Sequence, residues 1–155
     1  MFKRLSLNSR WLWPLMIALV VMAVPAPAKA ETIVDAAVYA NNRTYLFNGV
    51  RYFRLKGNTV EKGYPKLMKR WKGLPGDFLA GIDAAVFTPK NKKIYMFKGS
   101  QYVRITGSVV DKGYPKTIAK AWKGLPNSFH ANLDAAIYRG GHTYFFKGNN
   151  YVRFT

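Results

Sequence analysis

The chain has 155 residues, 25 of them basic and 7 acidic, for a formal charge of +18. Hydrophobic residues make up 49% and aromatics 15%, which excludes a disordered polar chain, and the length suits one domain rather than two large ones. There is no cysteine, so disulfides, thiol catalysis and thiolate metal sites are excluded, and the two histidines, His130 and His142, cannot build a zinc site alone.

Residues 1–10 carry Lys3, Arg4 and Arg10 and no acid. Trp11 to Val24 is an apolar run of 14 residues, broken by Pro25-Ala26-Pro27 and followed by Ala28-Lys29-Ala30. A basic start, a short apolar middle and small residues at the last and third-last positions predict a secretory signal peptide over 1–30. A membrane anchor is the rival reading, but the run falls short of the roughly 20 residues that cross a bilayer. The expected location is therefore secreted, periplasmic or extracellular, with membrane contact only through an uncleaved leader. Removing the leader leaves Glu31 to Thr155, 125 residues with a charge of +14. Without a disulfide, an exported body of this size relies on packing, metal or oligomerisation.

The mature sequence repeats itself. Asp35-Ala36-Ala37-Val38-Tyr39 returns as Asp83-Ala84-Ala85-Val86-Phe87 and as Asp134-Ala135-Ala136-Ile137-Tyr138. An aromatic, glycine, aromatic, arginine segment follows each, over 45–54, 95–104 and 144–153. Lys62-Gly63-Tyr64-Pro65-Lys66 recurs as Lys112-Gly113-Tyr114-Pro115-Lys116, and Trp71-Lys72-Gly73-Leu74-Pro75 as Trp122-Lys123-Gly124-Leu125-Pro126. A period near 50 residues points to a repeat architecture, with units over 31–82, 83–133 and a partial one over 134–155.

Within a unit, Asp35 to Tyr39 reads as an inner strand buried on both faces. Asn41-Asn42 makes a turn, and Tyr45 to Phe47 alternates as a strand. Asn48-Gly49, mirrored by Lys98-Gly99 and Lys147-Gly148, signals a tight hairpin before the returning strand Tyr52 to Leu55. Thr59-Val60 begins a fourth, outer strand. Pro65 suits the first turn of a short helix over Lys66 to Trp71, stopped by Gly73 and Leu74-Pro75. A sheet this small cannot bury its own faces. Several arranged radially can, which predicts an all-β propeller; a solenoid is the alternative.

These motifs resemble the hemopexin repeat, over Ile33 to Thr155, and with the leader and the lack of cysteine the chain is most similar to bacterial secreted members of the photopexin kind. The resemblance implies blades of a four-bladed disc, each with a short helix, around a central ion tunnel. Two blades are complete here and the third is partial, which leaves an open edge and leads us to expect either further blades or an oligomer. The resemblance also implies a calcium or sodium ion held by backbone carbonyls at Asp35 and Ala37, Asp83 and Ala85, and Asp134 and Ala136. The local alternative is that each aspartate hydrogen-bonds the turn that opens its strand.

Haem is the ligand that gave the family its name, and His130 and His142 are the imidazoles on offer. The strand between them, Asp134 to Tyr138, spans about 16 Å, so they are expected at opposite ends of the disc and not on one iron. Arg54, Arg104 and Arg153 share a repeated position and are expected to pair with a strand-opening aspartate. Lys62, Lys66, Lys69, Arg70 and Lys72 cluster in the first unit, and Lys112, Lys116, Lys120 and Lys123 in the second. This makes a positive rim suited to acidic polysaccharide or an extracellular protein. No motif supports sequence-specific nucleic-acid reading. No hydrolase, zincin or phosphate-loop motif appears, so the expectation is a non-enzymatic binding module.

Overall fold

The computed structural model describes residues 34–155, and the leader predicted over 1–30 lies outside the described residues. Three antiparallel sheets follow one another along the chain. The first comprises β1 (Ala36–Ala40), β2 (Arg43–Asn48) and β3 (Arg51–Lys56), with β4 (Thr59–Val60) and β5 (Lys66–Leu67) sharing the outer edge of β3. The second repeats it with β6 (Ala84–Thr88), β7 (Lys93–Lys98), β8 (Gln101–Thr106), β9 (Val109–Val110) and β10 (Lys116–Thr117). The third holds β11 (Ala135–Arg139), β12 (His142–Lys147) and β13 (Asn150–Phe154).

Turn chemistry sets the register. Asn41 and Asn42 both have positive φ, 52° and 60°, as a two-residue I′ turn demands, and asparagine tolerates that region. The turn closes on Ala40 and Arg43 and aligns Ala36 with Phe47. The hairpin expected at Asn48-Gly49 turns one residue later, on Gly49 and Val50, because Asn48 already pairs with Arg51.

The sheets stack in sequence, β1 against β6 and β6 against β11. The first interface buries Val38, Phe47, Tyr52 and Trp71 with Met96, Val103 and Ile105. The second buries Phe97, Tyr102, Ile118 and Trp122 with Ala136 and Phe145. Only β6 has Ala84, Ala85 and Val86 all buried, as the apolar run predicts. In β1 and β11 burial alternates, with Ala37, Tyr39, Ala135 and Ile137 exposed. Each of these strands has a neighbouring sheet on one side only among the described residues.

The helix expected over Lys66 to Trp71 is shorter. The free edge of β3 takes Lys66 and Leu67 as β5, leaving one 3-10 turn at Met68–Arg70. The second unit has one turn of α-helix there, α2 (Ile118–Ala121). A further short turn follows each Leu-Pro, as α1 (Gly76–Leu79) and as a 3-10 turn at Asn127–Phe129. Pro75 and Pro126 place them by supplying extended backbone at the N-cap. Lys72 ties the first unit to the second: its N–H donates to the Ser108 carbonyl at 2.8 Å and its carbonyl accepts from Val110 N–H at 2.9 Å.

The repeated arginines do not pair with the strand-opening aspartates. Arg54 Nε donates to Glu61 Oε2 at 2.7 Å, and Arg104 Nε to Asp111 Oδ2 at 2.5 Å. An acid seven residues on lies directly beside the arginine across a tight turn, whereas the strand-opening aspartate is engaged elsewhere. Arg153 has no carboxylate partner among the described residues. The Arg54 hydrogen bond holds the Glu61 carboxyl below its ordinary range, and the Thr106 hydroxyl followed by Arg104 does the same for Asp111. Arg54 and Arg104 each also lie over a tyrosine ring that a lysine covers too. Arg54 and Lys66 stand 4.9 and 4.5 Å from the centre of Tyr64, and Arg104 and Lys116 stand 5.2 and 4.9 Å from that of Tyr114. Burial and then Tyr64 push the Tyr52 phenol up to about 12, and burial and Tyr114 raise that of Tyr102.

Candidate functional site

The inner strands β1, β6 and β11 each have one hydrogen-bonded neighbour and one unpaired edge. Residues of all three line one cleft of ≈ 340 Å³, among them Ala37, Ala85 and Ala136. In antiparallel pairing, alternate residues turn their N–H and C=O toward the neighbouring strand. The I′ turn directs the Ala40 carbonyl to Arg43 N–H, so Ala36, Val38 and Ala40 face β2, and Ala37 and Tyr39 face the unpaired edge. Gly140 and Gly141, both at positive φ, close on Arg139 and His142 in the same way, which turns Ala136 outward. Ala84 is aligned with Phe97 as Ala36 is with Phe47, so Ala85 follows suit.

The aspartate side chains do different work. Gly49 N–H donates to Asp35 Oδ2 at 2.6 Å, Gly99 N–H to Asp83 Oδ2 at 2.7 Å, and Gly148 N–H to Asp134 Oδ2 at 2.6 Å. The aspartate N–H groups in turn donate to the carbonyls of Phe47, Phe97 and Phe146 at 2.8, 2.8 and 2.9 Å. Each aspartate thus clamps the hairpin of its own sheet through side chain and backbone together. Asp83 also pairs with Lys98 at 2.9 Å. Among the described residues there is no cluster of three histidine, aspartate or glutamate side chains that could hold a metal ion.

The histidines stand apart. His130 follows the 3-10 turn at Asn127–Phe129, and its Nε2 is 2.9 Å from the Leu125 carbonyl, where it acts as donor. His142 opens β12 with Nδ1 buried and unpartnered. They flank opposite ends of β11. All nine rim cations, from Lys62 to Lys72 and from Lys112 to Lys123, are exposed. Lys66 and Lys116 are the two that also cover a tyrosine ring. Sequence reasoning missed three aromatic residues at the cleft, Tyr39, Phe87 and Tyr138. They occupy one repeated position two residues past the axial alanine, so the repeat alignment carried the signal.

The hemopexin family model matches residues 34–76, 82–127 and 133–155. This chain belongs to the hemopexin family. Its three matched segments coincide with the three sheets, and the aspartate clamp lies near the start of each segment. Among solved structures, the hemopexin-fold protein CP4 from cow pea is 26% identical with a TM-score of 0.69, over 77% of this chain and 59% of that one. A plant lectin with two metal-binding sites from Cicer arietinum is 27% identical with a TM-score of 0.64, over 79% and 61%. A 2S albumin seed protein from Dolichos is 25% identical with a TM-score of 0.66, again over 79% and 61%. The chain thus spans about three-fifths of the length of these relatives. No curated protein matches it at the sequence level.

Proposed function

We propose that the chain is an exported, photopexin-like, non-enzymatic binding module that holds a calcium or sodium ion on its axis. The ligands are the backbone carbonyls at Ala37, Ala85 and Ala136, with those of Asp35, Asp83 and Asp134 beside them. The observation that carries this reading is the convergence of three unpaired strand edges on one cleft. Hard cations take oxygen ligands, six to eight for calcium, and water completes the set. The metal-binding sites of the Cicer arietinum lectin lend support from a similar fold. Haem fits less well: the His130 ring is committed to a carbonyl and the His142 Nδ1 is buried.

Calcium is expected to raise the unfolding free energy by about 2.7 kcal/mol at a hundredfold excess over Kd. Thermal unfolding over a calcium series, repeated with sodium, measures this. A midpoint that stays put through millimolar calcium and physiological sodium removes the ion.

The exposed rim favours a second role, retention on polyanions such as acidic polysaccharide. Retention on heparin is expected to fall steeply with salt, and to weaken in a Lys69→Glu, Lys72→Glu, Lys120→Glu, Lys123→Glu variant. Passage through the column at low salt, or retention unaltered by the four changes, eliminates this role.

A further inference from the structure

The acids of this chain are engaged away from the rim. Six lie among the described residues. Glu61 takes Arg43 and Arg54, and Asp111 takes Arg104 and Lys93. Asp83 takes Lys98, while Asp35 and Asp134 hold hairpin N–H groups. Asp77 lines a pocket with Asp83 and Lys98. Among the described residues, none of the nine rim cations is paired with an acid. Their charge is left whole.

The two basic stretches are also joined. β4 and β5 lie on the outer edge of the first sheet, and β9 and β10 on that of the second. From β5 the first stretch runs through the 3-10 turn to Lys72, whose backbone lies parallel to β9 at Val109. There it is held by the two hydrogen bonds to Ser108 and Val110. Two residues after Val110 the chain reaches Lys112, where the second stretch begins. Backbone pairing therefore makes one positive band out of two repeated clusters.

The rings of the band narrow its ligand. Stretches 62–72 and 112–123 carry Tyr64, Trp71, Tyr114 and Trp122. The tryptophans are buried in the two interfaces. Tyr64 is hemmed in by Arg54, Lys66 and Tyr52, and Tyr114 by Arg104, Lys116 and Tyr102. No ring of the band stands open for a nucleic-acid base to stack on. Eight of the nine cations are lysines, point charges that attract anions without the planar two-pronged geometry of arginine. Charge without stacking suits a polymer whose anionic groups are sulfates on sugars.

We propose that one extended sulfated polysaccharide chain lies along this outer edge and engages both units at once. This rests on the polyanion role given above and goes beyond it, because the two clusters act as a single track. Once the polymer is held at one cluster, it meets the other at high effective concentration.

Calorimetry with size-defined heparin oligosaccharides, on protein expressed from the full reading frame, tests this. Two tetrasaccharides are expected to bind each chain, but only one dodecasaccharide, at least about tenfold tighter. Lys69→Glu with Lys72→Glu, or Lys120→Glu with Lys123→Glu, is expected to weaken the dodecasaccharide by at least about tenfold. Either pair leaves one tetrasaccharide bound at the unaltered unit. All four side chains are exposed, and the hydrogen bonds of Lys72 are those of its backbone, so unfolding midpoints stay near that of the parent. A single-stranded oligonucleotide of equal charge is expected to bind no tighter than the dodecasaccharide. Two dodecasaccharides per chain, or a smaller loss on reversing the charges of one unit, overturns the single track and leaves the polyanion role standing. Tighter binding of the oligonucleotide overturns the choice of polysaccharide. No binding of any of these polyanions at low salt removes the polyanion role and the track together.

Discussion

Trp122→Ala lowers the unfolding free energy by about 3–5 kcal/mol, as equilibrium urea titration will show, and loosens the third sheet most. The indole is the joint between two sheets. Its ring centre lies 5.6 Å from that of Tyr95 and 5.8 Å from those of Phe97 and Tyr102 in the second sheet. It lies 5.0 Å from Phe145 and 5.2 Å from Phe154 in the third. Truncation leaves a cavity between two surfaces that cannot close on each other without bending both sheets, so little of the lost contact is recovered. The Nε1 donor has no partner, so Trp122→Phe, which removes that orphan and keeps a ring, is expected to recover much of the loss. Trp71 holds the matching place in the first interface, against Tyr45, Phe47 and Tyr52 of its own sheet and in one buried cluster with Met96, Val103 and Ile105 of the second, and the amides freed by Trp71→Ala are expected in the first and second sheets rather than the third. Hydrogen exchange separates the two patterns. A loss below about 1 kcal/mol for Trp122→Ala, well under the range for large aromatic truncations, would contradict the inter-sheet role.

Asp83→Ala costs about 1–2 kcal/mol, the range for losing a half-buried hydrogen bond to a charged acceptor. The change strands Gly99 N–H and releases Lys98. Among the described residues, Asp134 carries the Gly148 contact but no ion pair, and β13 has no fourth and fifth strands beside it. Asp134→Ala is therefore expected to cost less. Calcium affinity per folded molecule is expected to survive both changes, because the axial ligands proposed are main-chain oxygens. Denaturant titration run beside calcium calorimetry decides this. An Asp83→Ala protein of undiminished stability that no longer binds calcium would assign the carboxylate to the ion instead of the hairpin.

Much of this architecture was readable from the repeat. The Asp-Ala-Ala runs, the glycine hairpins and the outer strand Thr59–Val60 are local signals, and each fell within a residue or so of its place. The helix over Lys66 to Trp71 was overdrawn because the hydrogen-bonding edge of β3, which takes up Lys66 and Leu67, lies far upstream, at Tyr52 and Arg51. Local propensity does not register a distant edge. The partners of Arg54 and Arg104 were misjudged for a related reason. Seven residues of separation across a turn places Glu61 and Asp111 beside them, and that proximity depends on how tightly the turn folds.

By itself the sequence determined the kind of unit, its number of copies, and which side chains recur in register, since period and turn chemistry are properties of neighbouring residues. Only the tertiary structure decided which face of each sheet is covered and where the edges of β1, β6 and β11 meet. Burial and carbonyl direction depend on what stands opposite a strand. Identical motifs therefore end as core in Tyr52 and Tyr102 and as open surface in Tyr151.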